Sequence, residues 1–252
     1  MSPPILRAGI MISFFVFSVV INRKQISLNT LAASALFILL FAPNYLFDVG
    51  FQLSYLAILG IILLYPILKD YYLTSNKWIN YVLEYVYVSI AAQLFTLPLT
   101  LYYFGQFPNY FLLANLFIAL PSTLIMYVGV GLALIPVEWT NQFFGVLVEC
   151  LLQFMMNGLK WVEYLPFALI QGIEWQLVQL LLLLIAIIAL VIGLNRKSAK
   201  PLLLILASLC LISVHCGYIS YQKSKYNGLT FYNIRSDMAI SRIDKKTSLF
   251  IC

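Results

Sequence analysis

Few side chains in this sequence can do chemistry, and those that can recur at helical spacing in apolar surroundings. Ser89, Gln93, Thr96 and Thr100 fall at i, i+4, i+7 and i+11, along one narrow stripe of a helix. Asn115, Ala119 and Ser122 repeat the pattern further on. Asp48, Gln52 and Tyr55 share a helical face, beside a second face of small residues, Gly50, Ser54 and Ala57. Amides and hydroxyls so placed can line a wet path for a polar passenger. They can equally be hydrogen-bond glue between helices, at about 1 kcal/mol per contact. Asp48 also suits a helix N-cap, and Arg7, early in its apolar run, suits snorkelling to the headgroups. Pro98 and Pro121 sit among these stripes, where a proline frees a backbone carbonyl and kinks or breaks a helix. Broken helices often sit at a permeation path. Three polar stripes in neighbouring segments, two with prolines, favour a path lined by Arg7, Asp48, Gln52, Ser54, Gln93, Thr96, Asn115 and Ser122, with Pro98 and Pro121 as helix breakers. Gln52, Gln93 and Asn115 are expected to converge on it, with Arg7 near its mouth.

Enzyme chemistry is missing. The chain has no GxxxxGK[ST] phosphate loop, no HExxH, no GxSxG and no paired carboxylates within apolar segments. Its four cysteines form no CxxC pair, and the one histidine, His215, stands beside Cys216 without further ligands. No catalytic residue, metal site or cofactor is expected, so anything moved must be driven by a gradient or a partner.

The elements that position these residues are set by hydropathy. Of 252 residues, 63% are hydrophobic and 10% charged, and the mean hydropathy is +0.95. A soluble fold of this size could not hide so much apolar surface. Apolar runs long enough to cross a bilayer occupy 5–21, 28–47, 49–68, 81–103, 109–135, 143–164, 178–194 and 202–220. The sixth carries Glu149, Gln153, Asn157 and Lys160 on one stripe, which suits an interfacial helix or a span facing the bundle interior. Short loops hold Arg23 and Lys24, Lys69 and Lys77, then Arg196, Lys197 and Lys200, against Lys160 alone on the opposite loops. Basic loops stay cytoplasmic, and that rule accounts for the net charge of +6 better than a nucleic-acid footprint does. All three clusters share a face only if the sixth run crosses. The fold expected is therefore an all-α, polytopic transmembrane bundle of about eight spans, some kinked or broken, with both termini outside.

Residues 1–220 form the expected membrane domain, and 221–252 a linker and opening strands of an incomplete soluble domain. Strand-prone runs cover 229–234, 238–243 and 248–252, separated by charged turns. The start, with Pro3 and Pro4 and no basic cluster, reads as the front of an internal domain rather than an export signal.

The stretch from Pro43 through Asp48-Val-Gly-Phe-Gln-Leu-Ser54-Tyr-Leu-Ala-Ile-Leu-Gly60 resembles the hallmark of ComEC-type competence proteins, a proline before a D-x-GFQLS-aromatic-x-A-x-x-G run. Arg7-Ala8 followed by Met11 resembles the family's RA-x-x-M opening, and Asn115 to Pro121 its N-x-x-x-x-x-P helix. Order and spacing match across about residues 7–136. The resemblance implies an inner-membrane channel that passes single-stranded DNA into the cytoplasm during natural transformation. It further implies a DNA receptor and a cytoplasmic ATPase as partners, within the lipid bilayer, and homo-oligomers. In that family a metallo-β-lactamase-like nuclease domain often follows. The tail lies where it would begin, but Tyr232-Asn233-Ile234-Arg235-Ser236 replaces the usual LDVGQGD run, and no HxHxDH cluster is present. The competing functions are a transporter of a small solute or lipid, with the stripes as a midplane site, and a structural membrane subunit.

Overall fold

The computed structural model describes residues 3–20, 27–71, 76–134, 138–196, 200–225, 228–234, 237–244 and 247–251. In chain order these form α1 (Pro3–Val20), α2 (Ser27–Phe41), a 3-10 turn (Pro43–Phe47), α3 (Val49–Tyr71), α4 (Lys77–Phe104), β1 (Phe107–Pro108) and α5 (Phe111–Leu134). Then follow α6 (Glu138–Glu163), β2 (Leu169–Ile170), α7 (Leu177–Arg196), α8 (Lys200–Lys225), β3 (Gly228–Ile234), β4 (Asp237–Asp244) and β5 (Thr247–Ile251). The fold is an all-α bundle of membrane type with short strands. Among the described residues, five helices are long and apolar enough to cross a bilayer: Val49–Asp70, Lys77–Phe104, Phe111–Gly131, Leu177–Arg196 and Lys200–Gln222.

Three of the eight expected spans are not among these five. The run 5–21 forms α1, the first of the three. The run 28–47 does not form one helix, because α2 stops at Phe41 and the chain turns through Pro43–Phe47. Pro43 has no N–H to donate, and its ring keeps Ala42 out of the helical region, at φ −144° and ψ 77°. Fifteen residues rise only about 22 Å, less than the hydrocarbon core of about 30 Å. The run 143–164 does form a helix, α6. It falls outside the five because Glu149, Gln153, Asn157 and Lys160 dilute its apolar character.

The chain divides into two compact units, Met1–Leu180 and Leu181–Cys252. In the first, α1 packs on α2, α2 on α3, α3 on α4, α4 on α5, and α5 on α6. The α3–α4 crossing is the tightest part, with Phe51, Leu64, Ala91, Phe95 and Leu99 buried there. Gly60 makes it possible: a Cβ there would collide with the Ala91 carbonyl and lie 2.8 Å from the Phe95 ring. Outer faces such as Leu120 (65% exposed) and Leu124 (52%) stay open, as spans meeting lipid require.

Gly105 ends α4 in the left-handed region, at φ 60°, and its N–H closes on the Leu101 carbonyl. Such a cap suits glycine, which has no Cβ to strain there. In the second unit, β3, β4 and β5 form an antiparallel meander, paired from Gly228↔Ile243 to Ile234↔Asp237 and from Ile240↔Ile251 to Asp244↔Thr247. These strands fall within a residue or so of the runs expected at 229–234, 238–243 and 248–252.

Candidate functional site

The polar motif at the start of α3 is built as a joint. Asp48 ends the 3-10 turn, its N–H bonded to the Tyr45 carbonyl, and its Oδ1 accepts the Phe51 N–H at 2.7 Å. That is an N-cap, satisfying one of the free N–H groups at the helix start. Gln52 works in two directions: its Nε2 donates to the Leu46 carbonyl at 2.9 Å, and its Oε1 accepts from the Tyr103 hydroxyl at 3.3 Å. One amide thus ties the 3-10 turn, α3 and the last turn of α4 together. Phe51 is buried and lies against Tyr55, ring centroids 4.4 Å apart. The Tyr55 hydroxyl meets buried Ser34 of α2 at 3.2 Å. Ser54 satisfies its hydroxyl within its own helix, on the Phe51 carbonyl at 3.0 Å. At the other end of the α3–α4 pair, Lys69 pairs with Glu84 at 2.7 Å and donates to the Tyr65 hydroxyl at 3.3 Å.

The remaining stripe residues lie elsewhere. Thr96 donates to its own helix, on the Ala92 and Gln93 carbonyls, and Thr100 donates to the Thr96 carbonyl. Ser122 and Thr123 both donate to the Ala119 carbonyl, at 3.1 and 2.7 Å. Gln93 is partly buried, while Asn115 and Ser122 are exposed. Contacts of Gln52 with Tyr103 and of Lys69 with Glu84 set α3 and α4 antiparallel. Gln93 therefore sits about ten residues, roughly 15 Å, deeper than the level of Gln52. No hydrogen bond joins any two of the Gln52, Gln93 and Asn115 side chains among the described residues. Pro98 and Pro121 are buried inside helices that run unbroken through both, so neither interrupts its element. The Arg7 side chain, and Arg23, Lys24 and Lys197, lie outside the described residues.

A second constellation escaped the sequence reading. The loop after α4 is laced to the loop after α6. β1 pairs with β2 antiparallel, Phe107↔Ile170 and Pro108↔Leu169. The Asn109 N–H reaches the Ala168 carbonyl at 3.0 Å, and its Nδ2 reaches the Phe167 carbonyl at 2.7 Å. The Tyr110 hydroxyl donates to the Pro166 carbonyl at 3.0 Å, and the Ile173 N–H to the Gly105 carbonyl at 3.0 Å. Phe167 takes φ 58°, an uncommon backbone for a bulky residue, held by these bonds. The signal in the sequence is Pro108-Asn109-Tyr110, a turn sequence whose last two residues open the apolar run 109–135. Beyond this bridge, Gln179 is fully buried and accepts the Gln176 N–H at 2.6 Å, the reach-back half of a capping box at the start of α7.

The comparisons decide the family. The family model described as Competence protein matches residues 1–197, well over half of the chain. The chain belongs to the competence protein family. The joint at α3 and the bridge between loops both lie inside the stretch that carries this membership. ComE operon protein 3 of Bacillus subtilis (strain 168) is 31% identical over 106 residues, 42% of this competence-family chain. The same match covers 13% of that relative's own length. No solved structure matches the chain.

Proposed function

We propose that this chain is the membrane part of a DNA-uptake machine, a multi-pass protein of the bacterial cytoplasmic membrane that passes a single DNA strand inward. The observation that carries the reading is the competence family match across residues 1–197. Five helices of crossing length and apolarity give such a machine a body in the bilayer. The basic residues Lys69 and Lys77 follow α3, and Arg196 and Lys200 flank the α7–α8 connection, which favours those ends as cytoplasmic. With them inside, the bridge between the loops after α4 and α6 and the start of α3 face outward, where an incoming strand would first meet the protein. The chain serves as conduit, and the energy and any strand cleavage come from outside these 252 residues, since they hold no phosphate loop and no HxHxDH cluster. An external DNA receptor, a cytoplasmic ATPase and further copies of the chain are the proposed partners.

The test is uptake of labelled duplex DNA by cells with the gene deleted, and with it restored. Loss of internalised label on deletion, with surface-bound label retained, is expected. Uptake at the wild-type rate in the deletion would overturn the reading.

A further inference from the structure

The α5–α6 pair decides a question that composition leaves open. Contacts between these helices form one antiparallel ladder. Phe107 pairs with Ile170 and Pro108 with Leu169, Asn109 bonds Phe167, and Tyr110 bonds Pro166. Deeper in, the Phe117 ring lies against Gly158 and stacks on Phe154 at 5.1 Å between centroids. As one number rises the other falls. Only three residues separate Leu134 from Glu138 at the opposite end, so the two helices run side by side throughout. At 1.5 Å per residue, 24 and 26 residues give about 36 and about 39 Å, each more than the hydrocarbon core. Since α5 has the length and apolarity to cross, a partner bridged to its start, packed on it at Phe117 and joined to its end by three residues cannot lie flat on the surface.

We infer that α6 crosses the membrane beside α5, and that its stripe of Glu149, Gln153, Asn157 and Lys160 walls a water-filled route. Glu149 sits at the middle of α6, hence near the middle of the bilayer. All four side chains are exposed, and Gln153 Nε2 reaches Glu149 Oε1 only at 3.4 Å. Gly158, which meets α5, lies about 140° round the helix from the stripe's centre, so α5 does not cover it. An acid facing lipid at mid-depth costs roughly 2.5–3.5 kcal/mol on insertion scales, and the two amides add to that; Lys160, in the last turn of α6, is close enough to the end to reach the headgroups. Amides can also bond a neighbouring helix, but among the described residues neither Gln153 nor Asn157 does so, Gln153 reaching only Glu149 of its own helix. Water is the occupant this surface suits. The crossing and the wet wall stand on this geometry, while DNA as the passenger rests on the function proposed above.

The experiment uses single cysteines placed in the whole protein, freed of its native cysteines, in intact cells. Glu138→Cys and Gln171→Cys bracket α6, and a membrane-impermeant thiol reagent is expected to reach position 171 from outside and position 138 only after permeabilisation. Labelling of both from one side would show a surface helix and overturn the crossing. Because only a hydrated thiolate reacts, Gln153→Cys and Asn157→Cys should label at least about tenfold faster than Leu120→Cys and Leu124→Cys on the apolar face of α5. A crossing helix with positions 153 and 157 as slow as 120 and 124 would overturn the wet wall. If both label quickly, and a bulky adduct at 153 leaves DNA uptake unchanged, the route stands and DNA is not its passenger.

Discussion

The α3–α4 and α5–α6 pairs are both antiparallel helical hairpins with one glycine at their closest approach, yet they treat polar side chains in opposite ways. In α3–α4 the polar groups at the two ends are spent on neighbouring elements: Asp48 caps, Gln52 bonds the Leu46 carbonyl and the Tyr103 hydroxyl, and Lys69 pairs with Glu84. In α5–α6 the polar stripe stays exposed, and the pair is closed instead by the backbone bridge at its end. Residues that make a membrane helix recognisable are here the ones that fix its neighbours. Side chains left without such a task are the better candidates for meeting a passenger. The glycine-led motif of α3 is in this sense architecture, and the less distinctive α6 carries the surface with chemistry to spare.

The largest effects should come from filling the two glycine notches. At Gly60 an added Cβ meets backbone, the Ala91 carbonyl, whereas at Gly158 it meets the Phe117 ring. Overpacking costs about 1–3 kcal/mol, least where a side chain can turn away. Gly60→Ala should therefore lower the unfolding temperature in detergent more than Gly158→Ala, and Gly129→Ala, with nothing within 4 Å, should leave it unchanged. Equal effects at positions 60 and 158 would erase the claimed difference between the hairpins.

Next comes the helix cap. Asp48→Ala removes the acceptor of the Phe51 N–H and should destabilise by about 1 kcal/mol. Asp48→Asn keeps an acceptor there and should recover most of that loss. If both variants match wild type in a steric-trap or denaturant assay, the capping role of Asp48 is wrong.

How much of this was legible beforehand follows the range of the interactions. Hydropathy needs only a window of neighbours, so the long apolar helices and the strands of the tail could be read locally. The end of α2 at Phe41 was written in Pro43, but a run of apolar residues on both sides of that proline masked the turn. The Asp48 cap was also local, a carboxylate three residues before the amide it accepts. Gln52 was different: its partner Tyr103 lies 51 residues away, and only the register of α3 on α4 brings them together. The stripes at Gln93 and Asn115 show why spacing alone misleads. It groups residues on one helix but is silent on depth, and depth separates Gln52 from Gln93. The bridge was least legible of all, since a two-residue strand has no period to detect.

The bridge should respond to Asn109→Ala, which leaves the Phe167 carbonyl without its side-chain donor, by about 1 kcal/mol. Tyr110→Phe should cost a similar amount through Pro166. Their signature is local: hydrogen exchange at the Asn109 and Ile173 amides should quicken, while amides in the α3–α4 core stay protected. Uniform loss of protection would mean that the two hairpins melt as one body and that the bridge is not a separate clasp.

The smallest effect tests the central distinction between joint and path. Interhelical hydrogen bonds in membrane proteins average about 0.6 kcal/mol by double-mutant cycle. Gln52→Leu and Tyr103→Phe, each alone and then together, should show a coupling of that order, because the amide and the phenol share one bond. Gln52→Leu should cost more alone than Tyr103→Phe, since it also strands the Leu46 carbonyl. Gln93→Leu should leave stability nearly unchanged, because no hydrogen bond of its amide links it to another helix among the described residues. DNA uptake then separates the two roles. If Gln52 is part of the joint, Gln52→Leu should lower uptake only as far as it lowers the amount of folded protein. A variant with wild-type abundance and stability but much reduced uptake would place Gln52 on the passenger's route, and the line between the two hairpins would have to be redrawn.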